Sequence, residues 1–171
     1  VFPHIDDLDN IVAGVKTLLA DEGVFVIEAY YLVDLIEKNL FDTIYHEHLS
    51  YFTVKTISAL FGRLGMQVFD VEKTDTHGGS IRVFVQKIGG NRTVSPVVAK
   101  FVADEETKKI DNIETLLAFE AKISENKTRL KALLQDLKSK GKRIVAYGAP
   151  AKGNTLLNYF EIGADTVEYI V

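Results

Sequence analysis

The segment from Asp42 to Phe52 holds the densest cluster of chemically active side chains in this sequence. Tyr45, His46, Glu47 and His48 are consecutive, and apolar residues flank them on both sides. Histidine is the usual general base near neutral pH, and a neighbouring carboxylate can orient its ring. The cluster therefore indicates proton abstraction. Adjacent titratable groups also occur in ordinary surface loops, and the cluster alone leaves that alternative open.

A glycine-containing turn, Gly148–Thr155, is the second candidate site. It lies between a predicted strand and a predicted helix, where free backbone N–H groups point at an anion. Lys152 adds a positive charge. Because this lysine precedes Gly153, and Asn154 stands where a P-loop has its lysine, the turn is not an ATPase loop. It predicts phosphate or pyrophosphate binding, with an ordinary strand-to-helix turn as the alternative.

A third motif is His77–Ser80 followed by Arg82. Its two glycines allow a close approach of the backbone to a ligand or to another segment. The histidine and the arginine could hold a polar substrate. Taken alone, the motif favours a hairpin turn with a surface histidine.

The spacing of apolar residues predicts alternating helices and strands around these sites. The elements predicted before residue 88 are a helix capped by Asp6 or Asp7, a buried parallel strand at Val24–Glu28, a short helix at Leu32–Glu37, a helix capped by Thr53 and ended by Gly65, and strands at Gln67–Glu72 and Ser80–Gln86.

A turn at Gly89–Arg92 marks a predicted boundary, and the pattern changes after it. The elements predicted there are one long helix with its apolar stripe from Ile110 to Leu137, a buried strand at Arg143–Tyr147, a helix opened by Leu156, and a strand at Val167–Val171. Such a stripe usually packs on its own domain, although it could also mediate association.

Composition excludes several classes of protein. The 171 residues include no cysteine, which excludes a disulfide scaffold, a cysteine zinc site and a thiol nucleophile, and we predict no metal site. The net charge is −4, and without a long run of one sign we expect no nucleic-acid partner. No apolar run reaches the roughly 20 residues of a membrane helix, so we expect a cytoplasmic protein without a membrane partner.

Three stretches together resemble the signature motifs of the S-adenosylmethionine-dependent sugar C-methyltransferases: Tyr45–Phe52, His77–Arg82 and Gly148–Leu157. Such enzymes methylate a carbon of a nucleotide-linked deoxy-keto sugar, most often a thymidine diphosphate sugar. The order and spacing of the three stretches match those of the family throughout the chain. The resemblance therefore implies a methyltransferase with S-adenosylmethionine as cofactor and a nucleotide sugar as substrate.

The resemblance also implies an α/β architecture in two parts. Residues 1–88 would be the C-terminal half of a Rossmann-like class I methyltransferase domain, and residues 89–171 a second Rossmann-like domain, itself cut short, that binds the nucleotide sugar. The glycine-rich loop for S-adenosylmethionine is not in the sequence, so we expect the chain to be inactive alone. Apolar edges around Val24–Ile27 would then allow self-association.

The resemblance places His4, Tyr45, Glu47 and His48 at the reacting centre. Carbon methylation needs a base near the carbon and donors near the ketone oxygen, since proton removal yields an enolate. His48 is assigned as the base, with His4 as the alternative, and Tyr45 as donor to the enolate oxygen. Glu47 would orient His48 or accept from a sugar hydroxyl, and His46 would be structural.

The acceptor-binding residues are assigned to the two glycine-containing motifs. The backbone from Gly148 to Gly153, with Lys152, Asn154 and Thr155, would bind the nucleotide or pyrophosphate, and His77, Ser80 and Arg82 would contact the acceptor. Two alternatives remain: a non-catalytic nucleotide-sugar-binding module that leaves the histidine cluster idle, and a scaffold that associates through the long helix.

Overall fold

The computed structural model describes all residues from Val1 to Val171. Its elements in chain order are α1 (Leu8–Leu18), β1 (Phe25–Tyr30), α2 (Leu32–Glu37), α3 (Val54–Arg63), β2 (Met66–Thr74), β3 (Ser80–Lys87), α4 (Pro96–Thr107), α5 (Ile113–Ser139) and α6 (Ala151–Phe160). Short 3₁₀ turns lie at Phe2–His4, Phe41–Thr43 and Thr76–Gly78. The predicted α/β class is confirmed to the extent that the chain contains both helices and strands. No helix is both long and apolar enough to cross a membrane.

One antiparallel sheet organises the first half of the chain. Its strand order is β1-β3-β2, and both outer strands run antiparallel to β3. The prediction of a parallel strand at Val24–Glu28 was therefore wrong: β1 is an edge strand that pairs antiparallel. Its burial alternates, with Ile27 and Ala29 inside and Val26 exposed, because only one of its faces packs on the core.

The predicted caps on the first helices are confirmed. The Asp7 carboxylate accepts a hydrogen bond from the Asn10 backbone N–H at 3.0 Å at the start of α1. Thr53 forms a reciprocal capping box with Thr56 at the start of α3. Gly65 follows α3 with φ +76°, a conformation that favours glycine at a helix end. These local signals are strong enough to be read from sequence.

α4 was not predicted, and it joins the two halves of the chain. Ser95 caps it, and the Ser95 backbone N–H donates to the Phe69 carbonyl of β2 at 2.7 Å. Buried Glu105 on α4 accepts three hydrogen bonds: from the Tyr31 hydroxyl at 3.0 Å, and from the backbone N–H groups of Val54 at 2.6 Å and Lys55 at 3.0 Å. A side chain from the second half thus caps α3 of the first half.

The hydrophobic core is a single cluster of 25 buried residues. It extends from the sheet to Phe119 and Ile123 of α5 and to Phe160 of α6. The Phe160 ring stacks on Phe41 with ring centroids 5.1 Å apart, which docks α6 on the 3₁₀ turn before the histidine cluster. The predicted domain boundary at residues 88 and 89 stays a prediction.

Four predictions for the second half need correction. The last helix, α6, begins at Ala151, inside the predicted turn, and not at Leu156. The long helix begins at Ile113, capped by Asn112, so Ile110 lies outside it. The predicted strands Arg143–Tyr147 and Val167–Val171 meet in a single parallel bridge, Ala146 to Ile170. The prediction that Arg143–Tyr147 is buried was also wrong, since Val145 and Tyr147 are exposed. Two lone segments without further strands or a covering face do not form a stable sheet.

Candidate active site

His48 is buried, and one ring nitrogen is firmly held. Its Nδ1 lies 2.6 Å from the backbone carbonyl oxygen of Thr43. A carbonyl can only accept, so in the neutral ring Nδ1 carries the proton and Nε2 has the free lone pair. That tautomer has the form that a general base needs.

Glu47 does not orient His48. Its side chain is exposed and makes no hydrogen bond with the ring, because a tight turn, in which the His48 N–H donates to the Tyr45 carbonyl at 2.9 Å, directs Glu47 outward. The Thr43 carbonyl fills the orienting role. The other role predicted for Glu47, accepting from a sugar hydroxyl, stays a prediction. His46 is also exposed.

Three rings surround the His48 imidazole. Their centroids lie 4.3 Å away for Tyr45, 4.7 Å for Tyr30 and 5.0 Å for His4. The first 3₁₀ turn brings His4 there, because the Pro3 carbonyl accepts from the N–H groups of Leu49 and Ser50 at 2.9 and 3.2 Å. The structure thus brings together His4, Tyr45 and His48.

The hydroxyls of Tyr30 and Tyr51 remain protonated at neutral pH. Burial, and then the proximity of Tyr45 and Asp42, raises the pKa of Tyr30. Burial, and then Tyr30 and Tyr45, raises the pKa of Tyr51 to about 12. The Tyr51 hydroxyl donates to the Thr43 carbonyl at 3.2 Å, the same oxygen that holds His48. The site therefore offers neutral hydrogen-bond donors next to a base.

The His77–Ser80 motif forms the turn between β2 and β3, beside this cluster. The His77 ring lies 5.6 Å from Tyr30, and the buried Ser80 hydroxyl donates to the Thr76 carbonyl at 3.0 Å. Arg82 lies further along β3 and already pairs with Glu28 at 2.8 Å and Glu72 at 3.5 Å. Of the three residues, Arg82 is thus the one whose charge is matched within the protein.

Gly79 occupies a position in this turn that only glycine fits. It has φ +154°, and a Cβ there would overlap the carboxylate of buried Asp34. Asp34 in turn binds Lys73 at 2.7 Å and Lys38 at 3.5 Å, and the Lys38 ammonium donates to the Gly78 carbonyl at 2.6 Å. A buried carboxylate with two cationic partners thereby fixes the backbone that presents His77.

We predict that Gly79→Ala costs about 3 kcal/mol, since the added methyl combines overpacking with an unfavourable backbone conformation. Gly89→Ala is the matched control: it also has positive φ, but an added Cβ would meet open space. Its cost should be about 1 kcal/mol. Urea unfolding of the two variants measures the difference. Equal losses would show that Asp34 readily moves away from the turn.

Lys152, from the second half of the chain, lies beside the rings that surround His48. Its ammonium lies 5.9 Å from the centre of the Tyr30 ring and has no carboxylate within salt-bridge distance. The first backbone hydrogen bond of α6 runs from the Asn154 N–H to the Pro150 carbonyl, so the preceding amides at the helix start are free. A free cation and free amides at one helix start suit an anion.

The other residues of this turn contribute differently. The Asn154 amide oxygen accepts from Asn158 at 2.8 Å, and the Thr155 hydroxyl donates to the Ala151 carbonyl at 3.1 Å, so both side chains bond within α6. Gly148, with φ +84°, and Gly153 line an open cavity of about 570 Å³ at the helix start. The residues that sequence reasoning missed are Tyr30, which lies outside every motif, and Thr43 and Tyr51, which lie in the segment Asp42–Phe52 but were given no role.

A base, neutral donors and a free cation in one cluster suit enolate chemistry at a carbon beside a ketone. Comparison with known proteins agrees with this class. The C-methyltransferase C-terminal domain model matches residues 75–171. Over 168 residues the chain is 37% identical to the C-methyltransferase NovU of Streptomyces niveus, covering 98% of this chain and 40% of that protein. The chain belongs to the C-methyltransferase family and spans about two fifths of the length of this curated relative.

Proposed function

We propose that this chain supplies the catalytic base and the acceptor-binding residues for S-adenosylmethionine-dependent C-methylation of a nucleotide-linked deoxy-keto sugar, with thymidine diphosphate as the nucleotide. The observation that carries the proposal is the buried His48, whose Nδ1 is held by a carbonyl and whose Nε2 lacks a protein partner. Membership of the C-methyltransferase family supports methyl transfer.

In this proposal, His48 Nε2 takes the proton from the carbon beside the ketone. The bond electrons spread onto the ketone oxygen as an enolate, and the imidazolium that forms keeps its hydrogen bond to the Thr43 carbonyl. His4, 5.0 Å away, is the alternative base, but its side chain is exposed, so it is less fixed. Burial and the orienting carbonyl favour His48.

Tyr45 is proposed as the donor to the enolate oxygen. Its ring is 4.3 Å from His48, and its hydroxyl makes no hydrogen bond within the protein. A donor placed where charge develops stabilises the transition state more than the ground state. Exposed Glu47 is proposed to accept from a sugar hydroxyl.

The anionic end of the acceptor is proposed to bind at the start of α6. Lys152 and the free amides there carry positive charge without a protein counterion. The Lys152 ammonium sits over the Tyr30 ring, which also contacts His48, so the anion site and the base lie on one continuous surface. His77 and Ser80 border the same surface and are proposed to contact the sugar.

The methyl donor does not fit the residues of this chain. No strand here is followed by the glycine-rich loop that holds such a cofactor. When bound elsewhere, S-adenosylmethionine supplies an electrophilic methyl group. The part assigned to this chain is therefore recognition and deprotonation of the acceptor.

We predict that Lys152→Ala weakens binding of thymidine diphosphate to this chain by about tenfold, the loss expected when one charge-assisted contact is removed. Lys127→Ala is the matched control, since Lys127 also lies over a tyrosine, at 5.7 Å from the Tyr159 ring centre, but away from the site. Isothermal titration calorimetry measures both dissociation constants. An equal loss in both variants, or none in either, would contradict an anion site at Lys152.

The second candidate function is a non-catalytic nucleotide-sugar-binding module. It is favoured by the free cation and amides of α6, which can bind an anion whether or not the histidine cluster acts. Pairing this chain with a cofactor-binding methyltransferase half discriminates the two. Restored methyl transfer supports the catalytic proposal, and nucleotide binding without transfer supports the module.

A further inference from the structure

Tyr30 contacts both parts of the proposed site, the base His48 and the anion-binding Lys152. It is the last residue of β1, outside every motif of the sequence. Its ring lies 4.7 Å from His48 and 5.6 Å from His77, both in the first half of the chain, and 5.9 Å from the Lys152 ammonium of α6, in the second. No other side chain contacts His48, His77 and Lys152 together.

The backbone at Tyr30 is held by the start of β3. Tyr30 pairs with Ser80 in the antiparallel ladder, and the next residue, Tyr31, donates its N–H to the Gly79 carbonyl at 3.2 Å. The Tyr31 hydroxyl is bound to buried Glu105. A ring on such a fixed strand end is a rigid platform, whereas the histidines and the lysine that contact it lie on turns or at the start of a helix.

The contacts on the ring have a clear physical basis. The face of an aromatic ring carries negative potential, which attracts an ammonium group within about 6 Å. The same ring packs against the imidazole at a tilt of 56°. Lys152 has no carboxylate partner, so loss of the ring would release its ammonium. His48 would keep its hydrogen bond to the Thr43 carbonyl but would lose the packing of Tyr30 against its ring.

We propose that Tyr30 is a positioning residue for the reaction proposed above: its ring fixes the distance between the cation that binds the acceptor's anionic group and the base that removes the acceptor's proton. The inference rests on the proposed function. It goes beyond that function by assigning a single residue that couples acceptor binding to proton abstraction. The coupling is carried by the ring and does not need the hydroxyl.

The test is a double-mutant cycle on this chain with thymidine diphosphate as the probe. Tyr30→Leu should raise its dissociation constant about fivefold, and Tyr30→Phe, which keeps the ring, less than twofold. In a Lys152→Ala background, Tyr30→Leu should cause no further loss, since the group through which it acts is gone. Tyr159→Leu, which removes the equivalent ring under Lys127, should leave binding unchanged.

The second readout is solvent exchange of the acceptor proton at saturating acceptor, where weakened binding no longer limits the rate. Tyr30→Leu should lower this rate at least tenfold, and Tyr30→Phe should restore it. Additive effects of Tyr30→Leu and Lys152→Ala, or an unchanged saturated rate, would overturn the role of Tyr30 and leave the proposed function standing. A wild-type chain that neither binds the nucleotide nor exchanges the proton would overturn both.

Discussion

Replacement of His48 by asparagine should lower methyl transfer at least about 10³-fold, the loss expected when a positioned general base is removed. An asparagine amide can still donate to the Thr43 carbonyl, so the local fold should persist. Binding of thymidine diphosphate should change less than twofold, because the proposed anion site lies on α6. The assay uses this chain joined to a cofactor-binding methyltransferase half.

His46→Asn is the matched control for that experiment. His46 has the same chemistry two positions away, but its side chain is exposed, and its ring packs against the Tyr45 ring at 6.1 Å and not against His48. Its replacement should leave the rate within about twofold of wild type, since exposed surface changes have small effects. Full activity in His48→Asn, with a large loss in His4→Asn, would transfer the role of base to His4.

Replacement of Glu105 by alanine should lower the stability of the chain about as much as Gly79→Ala. It strips hydrogen bonds from the Tyr31 hydroxyl and from the Val54 and Lys55 N–H groups, two of them the first amides of α3. Buried donors left without a partner cost about 1–3 kcal/mol each, and partial relaxation should leave a net loss of about 3 kcal/mol. For a chain of this size, that corresponds to a fall in melting temperature of roughly 10 °C.

Glu106→Ala provides the control for Glu105. Glu106 is the next residue on α4, is exposed, and makes only a surface ion pair with Lys55 at 3.7 Å. Such pairs contribute little, so its replacement should change stability by less than about 1 kcal/mol. Differential scanning calorimetry of both variants measures the effect. A loss in Glu105→Ala no greater than in Glu106→Ala would show that α4 is not what secures α3.

Local signals in the sequence were sufficient for much of the fold. The caps at Asp7 and Thr53 and the helix end at Gly65 depend on neighbouring residues only, and the structure has each of them. The direction of β1 could not be read in the same way. A continuous apolar run specifies burial but not partners, and pairing with β3 depends on residues 50 to 60 positions away.

For the site as well, only features formed by neighbouring residues could be predicted from the sequence. The histidine cluster and the α6 turn stood out because several reactive residues are adjacent in sequence. Tyr30 and the Thr43 carbonyl did not stand out, since one is a lone aromatic residue at a strand end and the other is a backbone group. Glu105 also gave no signal, because its partners lie 50 to 74 residues earlier in the chain.

The most direct test of the central claim is proton exchange, which needs no methyl donor. A thymidine diphosphate keto-deoxysugar is incubated with this chain in deuterated buffer, and the ring carbon beside the ketone is followed by NMR. We predict that wild-type chain introduces deuterium at that carbon and that the His48→Asn variant does so no faster than buffer. Exchange at the buffer rate with wild-type chain, while thymidine diphosphate still binds, would contradict the assignment of the base and leave a nucleotide-sugar-binding module.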